Sequence, residues 1–136
     1  MYKKMLVAMA LDHNVSPKLL AFAKANCAEG GSITALHVIE EPSGTANARL
    51  REDLQNAGLD QAAAIFKEKL ADYPEINSEL LQGHASRTIV DYAEQIGADC
   101  IVMGSHKPGL ADYFIGSTAS RVVRHANCSV HVFRDT

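Results

Sequence analysis

The sequence predicts an α/β fold: a three-layer sandwich in which a five-stranded parallel sheet carries helices on both faces. Short apolar runs alternate with longer amphipathic segments from end to end of the 136 residues, which is the pattern of strands and helices taking turns. Two runs, at residues 5–9 and 100–103, are wholly apolar, as in strands that are covered on both faces. The connections between elements are short, which favours right-handed crossovers between parallel strands.

Length and composition indicate one domain spanning residues 1–136. The hydrophobic fraction of 47% and the charged fraction of 21% are typical of folded globular chains. A net charge of -3 argues against a generally basic nucleic-acid binder. Because no apolar run has the length of a membrane helix, and the N-terminus turns polar too early for a signal peptide, we expect a cytoplasmic protein with no membrane partner.

The first strand and helix are predicted from an apolar run and its flanking residues. Strand one is the run at residues 5–9. Asn14 or Ser16 can cap the helix that follows. Gly30 and Gly31 are expected to end that helix.

The middle of the chain predicts two strands on either side of a long helix. Strand two covers residues 33–39, which are rich in β-branched side chains. Helix two runs from about residue 47 to 70, and Gly58 is expected to weaken or kink its middle. Strand three, residues 76–82, is more polar and therefore fits an edge of the sheet better than its centre.

The last third predicts two further helix and strand pairs. Helix three includes residues 89–96 and ends at Gly97. Strand four covers residues 100–103 and is expected to be central. Helix four includes residues 119–126, and strand five covers residues 129–133.

The strongest local signal is the glycine-rich segment from Met103 to Ser120, between strand four and helix four. Gly104 follows a buried strand, and Gly116 precedes a helix whose N-terminus carries free N–H groups and partial positive charge. The polar side chains beside these glycines are Ser105, His106, Lys107, Ser117 and Thr118. The segment therefore predicts a site for phosphate groups.

An alternative interpretation is that these glycines only serve turns and caps, which is common at strand-to-helix junctions. The segment matches neither the G-x-x-x-x-G-K-[ST] pattern of a P-loop nor the G-x-G-x-x-G pattern of dinucleotide-binding folds. Those two classes of phosphate site are therefore excluded.

The chain resembles, over its whole length, the universal stress protein A family in its small single-domain bacterial form. The family's motif is a glycine, two residues, a glycine, nine residues, and then glycine with serine or threonine. Here Gly104 begins that motif, and Gly116 and Ser117 complete it. The segment RHANCSVHV from Arg124 and the glycine before helix three, Gly83, also fit the family.

The resemblance implies a Rossmann-like fold of the adenine nucleotide alpha hydrolase-like type, with strand order 3-2-1-4-5, that binds ATP alone or with Mg²⁺. It implies that Val38 offers backbone groups to adenine, and that Met103 and Gly104 border adenine and ribose. The phosphates would lie on the N-terminus of helix four. The implied nucleotide-binding residues are Ala8, Ala10, Asp12, Val38, Met103, Gly104, Ser105, His106, Lys107, Gly116, Ser117 and Thr118.

Two positions depart from the family pattern. Lys107 replaces the middle glycine, with eight residues between it and Gly116; its charge can compensate, but it lacks the backbone freedom of glycine. Ala10 stands where many members have an aspartate for the ribose hydroxyls, and Asp12 follows two residues later. Because two residues span about 6–7 Å of extended chain, Asp12 reaches the ribose only if the chain turns back. Otherwise Asp12 caps a helix or is solvated.

The predicted function is a universal stress protein: an ATP-binding stress-response module that acts as a homodimer. The resemblance implies that the last strand, residues 129–133, pairs with its copy in another chain, whereas the alternative is an edge covered within the monomer. Hydrolysis is expected to be slow at most, because no general base or magnesium carboxylate is evident, and no catalytic residue is assigned. The alternative function is a dimeric family member that binds no nucleotide and acts through protein–protein interaction.

The cysteines and histidines predict neither a disulfide nor a metal site. The chain has an odd number of cysteines, which lie in apolar segments and form no C-x-x-C pair: Cys27, Cys100 and Cys128. We therefore expect buried thiols. The histidines have no ligand spacing. His37, inside strand two, is interpreted as a packed or edge histidine.

Overall fold

The computed structural model describes residues 1–10, 16–40, 48–105 and 116–134. Within these residues the strands and helices are β1 (Tyr2–Ala8), α1 (Ser16–Asn26), β2 (Cys27–Ile39), α2 (Ala48–Lys69), β3 (Asn77–Gln82), α3 (Ala85–Ile96), β4 (Cys100–Gly104), α4 (Ser117–His125) and β5 (Ser129–Phe133). The strands form one parallel sheet in the order β3-β2-β1-β4-β5. The predicted fold class and strand order are confirmed, and β3 lies at an edge as its polarity indicated.

The central strand β1 shows why the buried strands are apolar on both faces. Met5 and Val7 point into a cluster that includes Leu20 of α1 and Phe66 of α2. Leu6, between them, points into a second cluster that includes Val122 of α4. Successive side chains of a strand face opposite sides, so one helix layer covers each face of the sheet and completes the three-layer sandwich.

The boundary between α1 and β2 differs from the prediction. The helix ends at Asn26, and Cys27 already begins the strand, so Gly30 and Gly31 lie in β2. Gly30 has a φ of 79°, and a Cβ at Gly31 would lie 2.7 Å from the carbonyl oxygen of Lys3. The glycines therefore serve an irregular strand start, where the register against β1 shifts, instead of a helix end.

The expectations for Gly58 and for the three cysteines are only partly confirmed. The helix α2 runs without interruption through Gly58, so the helix does not break there. All three cysteines are free thiols, as expected, but only Cys100 is fully buried, whereas Cys27 and Cys128 are half-buried. Cys27 is the first residue of β2 and Cys128 directly precedes the edge strand β5, whereas Cys100 begins the interior strand β4. Burial raises the pKa of the Cys100 thiol to about 11.

Among the described helices, none has the length and apolar character needed to cross a membrane.

Candidate functional site

The carboxyl ends of β1, β2 and β4 bring three of the predicted site residues to one side of the sheet. Ala8, Val38 and Met103 all belong to the hydrophobic cluster between the sheet and helices α3 and α4. Met103 is 4% exposed, whereas Ala8 and Val38 are half-buried. Because parallel strands end at the same edge of a sheet, these residues form an apolar surface where a ligand is expected in this fold.

Ser105 connects the end of β4 to two other elements through its backbone. Its N–H donates to the carbonyl oxygen of Phe133 at the end of β5, over 2.9 Å. Its carbonyl accepts a hydrogen bond from the N–H of Gly116, over 2.5 Å. The N-terminus of α4 is therefore held directly beside the end of the buried strand β4.

The N-cap residue of α4 has no side chain that would compete with a ligand for the first N–H groups of the helix. Gly116 is the N-cap residue, with φ −61° and ψ 160°, and no side-chain cap is formed among the described residues. Ser117 is exposed and Thr118 is half-buried. The first N–H groups of a helix lack intrahelical acceptors and carry partial positive charge, so this end of α4 can receive an anion.

The side chain of Ser105 adds an unsatisfied polar group at the same place. Ser105 is 4% exposed, and its Oγ has no hydrogen-bond partner within the part of the chain that the structure describes. Buried hydroxyls normally have a partner, so this oxygen is available to a bound molecule or its water.

Met9, which directly follows β1, is bound to β2 by one backbone hydrogen bond and one side-chain hydrogen bond. The N–H of Met9 donates to the carbonyl of Leu36 over 2.8 Å, and Nδ1 of His37 lies 2.7 Å from the carbonyl oxygen of Met9. Ala10 follows as an exposed residue. His37 is packed in part, as interpreted from the sequence, but its bond to Met9 was not anticipated, because strand alternation alone does not show what lies across the pairing.

The predicted nucleotide-binding residues divide into two groups. Those whose positions are described are Ala8, Ala10, Val38, Met103, Gly104, Ser105, Gly116, Ser117 and Thr118. Asp12, His106 and Lys107 lie outside the described residues. Gly104 is the last residue of β4 and pairs with Phe133 of β5, and neither it nor Gly116 has a positive φ. Backbone conformation therefore does not require glycine at these two positions.

A search of the described residues finds no group of three or more His, Cys, Asp or Glu side chains placed to hold a metal ion.

Comparison with protein families and curated sequences gives matches along nearly the whole chain. The family model described as the universal stress protein family matches residues 1–134. The chain is 31% identical over 140 residues to universal stress protein A homolog 2 of Coxiella burnetii, an alignment that covers 98% of this chain and 95% of that protein.

Comparison with solved structures gives the same fold. The universal stress protein UspA from Lactobacillus plantarum superimposes with a TM-score of 0.82 at 26% identity, over 98% of each chain. A universal stress protein solved in complex with cAMP has a TM-score of 0.71 at 15% identity, over 98% of this chain and 97% of that one. One from Archaeoglobus fulgidus, solved with dAMP, has a TM-score of 0.59 at 24% identity, over 96% and 97%. At 15% and 24% identity, the structures with cAMP and dAMP show that this chain shares their fold.

Proposed function

The chain belongs to the universal stress protein family, and we propose that it is an adenine-nucleotide-binding stress-response module. In this proposal it binds ATP, alone or with Mg²⁺, at the carboxyl edge of its sheet and acts as a cytoplasmic homodimer. The solved family members with cAMP and dAMP support the proposal to the extent that this fold accommodates an adenine nucleotide.

The single observation that carries the proposal is the hydrogen bond from Gly116 to Ser105. It holds the N-terminus of α4, which has no side-chain cap among the described residues, beside the end of β4. Met103 of β4 belongs to the same apolar cluster as Val38 of β2. An adenine ring needs an apolar surface and a phosphate chain needs N–H donors. An apolar surface and a helix N-terminus at the same edge of the sheet therefore support the proposal.

We propose the following roles for the residues of this site. Val38 offers backbone groups to adenine, while Met103 and Gly104 border adenine and ribose, with Ala8 and Ala10 at the exit of β1. The phosphates lie against the N–H groups and hydroxyls of the first turn of α4, and Ser105 contributes its hydroxyl. Asp12, His106 and Lys107 complete the proposed site. No residue is assigned as catalytic, and hydrolysis of bound ATP is expected to be slow at most.

The proposed dimer uses the free edge of β5. Ser129–Phe133 is the last strand of the sheet and pairs with β4 on one side only among the described strands. A parallel sheet with an open edge can be extended by the same strand of a second copy about a two-fold axis.

Isothermal titration of the purified protein with MgATP, AMP and GTP tests the nucleotide site. We expect saturable binding of MgATP, weaker binding of AMP because it lacks two phosphates, and weaker binding of GTP because its base differs. Binding should raise the unfolding temperature with increasing ligand concentration. If millimolar MgATP produces neither heat nor a shift in unfolding temperature, the nucleotide proposal is wrong, and action through protein–protein contact remains.

A further inference from the structure

We infer that His37 is a positioning residue of this nucleotide site. Its imidazole binds the Met9 carbonyl, ends the hydrogen-bond ladder between β1 and β2, and so leaves the N–H of Val38 open for an acceptor nitrogen of a purine base. The inference rests on the proposed function for its ligand, while its geometry can be tested without any ligand.

Among the described residues, the backbone hydrogen bonds between β1 and β2 end at the N–H of Met9, and no bond joins the N–H of Val38 to the carbonyl of Met9. The last pair is Ala8 with Leu36, and the N–H of Met9 still donates to the carbonyl of Leu36 over 2.8 Å. In a regular parallel ladder the next bond would run from the N–H of Val38 to the carbonyl of Met9. That carbonyl instead faces Nδ1 of His37, at 2.7 Å.

The chemistry of the contact fixes which ring nitrogen carries a proton. A backbone carbonyl can only accept, so Nδ1 of His37 must donate and therefore carries the hydrogen. The ring is half-buried and packs edge-on against Phe66, with 6.4 Å between centroids and 60° between planes. The imidazole is thus held in place by packing as well as by its hydrogen bond.

The direction of the Val38 N–H follows from strand geometry. The backbone groups of Leu36 face β1, because they pair with it. Residues two apart on a strand point their backbone groups the same way, so the N–H of Val38 also faces the β1 side, beyond the last pair. Val38 shares its hydrophobic cluster with Ala8 and Met103, so this donor lies at the apolar surface proposed for the base.

The first measurement uses the protein without nucleotide and follows hydrogen exchange of the Val38 amide by NMR. In the His37→Leu variant the Met9 carbonyl is released, and we expect the Val38 amide to bind it and exchange at least tenfold more slowly. In His37→Asn the side-chain amide nitrogen can take the place of Nδ1, so exchange should remain as fast as in the parent protein. Equal exchange of Val38 in the parent protein and His37→Leu would overturn the inference.

The second measurement compares MgATP affinity across the same proteins. We expect His37→Leu to bind MgATP about tenfold more weakly, His37→Asn to bind within about twofold of the parent, and inorganic triphosphate, which lacks a base, to bind equally to all three. His125→Leu, an exposed histidine in the last turn of α4, should leave all affinities unchanged. Thermal unfolding of each variant verifies that it is folded.

The outcomes separate this inference from the proposed function. If His37→Asn fails to restore MgATP affinity, or if inorganic triphosphate weakens together with MgATP, His37 has only a structural role. If the parent protein binds no nucleotide, the proposed function fails, and the exchange rate of Val38 still decides whether His37 ends the ladder.

Discussion

The N–H of Gly116 donates to the carbonyl of Ser105 over 2.5 Å, so these two residues lie next to each other at the carboxyl edge of the sheet. The contact fixes the start of α4 relative to β4 by backbone groups alone. Any residue other than proline at position 116 keeps the N–H that donates this hydrogen bond.

Gly116→Val is expected to reduce the affinity for MgATP at least tenfold while the domain stays folded. The φ of −61° at Gly116 is accessible to any residue, but a branched side chain there would cover the first N–H groups of α4. We expect a cost of about 1 kcal/mol or less in stability, because valine is a poorer N-cap than glycine. Calorimetric titration and thermal unfolding measure the two effects.

A smaller substitution and a smaller ligand provide the controls for Gly116→Val. Gly116→Ala should lower MgATP affinity less than valine does. Adenosine, which has no phosphate to place on α4, should bind the parent and the valine variant equally. An equal loss of adenosine and MgATP would show that the substitution acts on the fold and not on phosphate binding.

Ser105→Ala is expected to have opposite effects on stability and on nucleotide affinity. The buried Oγ has no partner in the described part of the chain, so its removal should raise the free energy of unfolding, by about 1 kcal/mol. MgATP affinity should fall, because the bound nucleotide loses a hydroxyl group. Urea denaturation without ligand and titration with MgATP measure these effects separately; unchanged affinity would remove Ser105 from the proposed site.

Asp99→Asn is expected to destabilise the protein at neutral pH by about 1 kcal/mol, after allowance for solvent screening of a partly exposed carboxylate. The Asp99 carboxylate accepts hydrogen bonds from the N–H groups of Lys3 and Lys4, at 2.8 and 3.0 Å. An asparagine has one acceptor oxygen, so its amide nitrogen would face one of these donors. Urea denaturation at pH 7 measures the loss, and Asp60→Asn, on an exposed position of α2, serves as the control.

The contribution of Asp99 to the free energy of unfolding is expected to decrease in acid. Partial burial alone would raise the pKa of Asp99, but the hydrogen bonds from Lys3 and Lys4 outweigh it and hold the pKa below its usual value. A lowered pKa in the folded state stabilises the protein above the unfolded pKa, about 3.9. The difference between the parent and Asp99→Asn should therefore shrink as the pH falls below about 4; a difference that grows in acid would contradict this account.

Val132→Pro is expected to convert the proposed dimer into a monomer without unfolding it. The carbonyl of Phe133 accepts from Ser105, so the backbone groups of Phe133 face β4. Because direction alternates along a strand, the N–H of Val132 faces the open edge, where proline is tolerated. Sedimentation equilibrium should give a dimer for the parent protein and for Val132→Ala, which keeps the N–H, and a monomer for Val132→Pro. A parent protein that sediments as a monomer would contradict the dimer proposal.

Apolar patterning was sufficient to predict the fold but not the contacts that depend on the register between strands. The runs around Met5 and Cys100 predicted buried strands, because a strand covered on both faces must be apolar at every position. Gly116 was recognised as a helix start from its neighbours. Nothing in the pattern showed that His37 would bind Met9, since that contact depends on the register between two strands. The sequence pattern predicts a helix end at Gly31, because glycines commonly end helices, whereas a glycine is needed here where two strands come close.

Gly31→Ala and Gly58→Ala are expected to change stability in opposite directions. A Cβ at Gly31 would lie 2.7 Å from the Lys3 oxygen and 2.9 Å from the Ala28 oxygen, and because both are backbone atoms the strands must shift, at a cost of about 2 kcal/mol. A Cβ at Gly58 meets nothing within 4 Å, so alanine should stabilise α2 by about 0.5–1 kcal/mol. Urea denaturation measures both, and a Gly31→Ala protein as stable as the parent would show that the start of β2 tolerates a side chain.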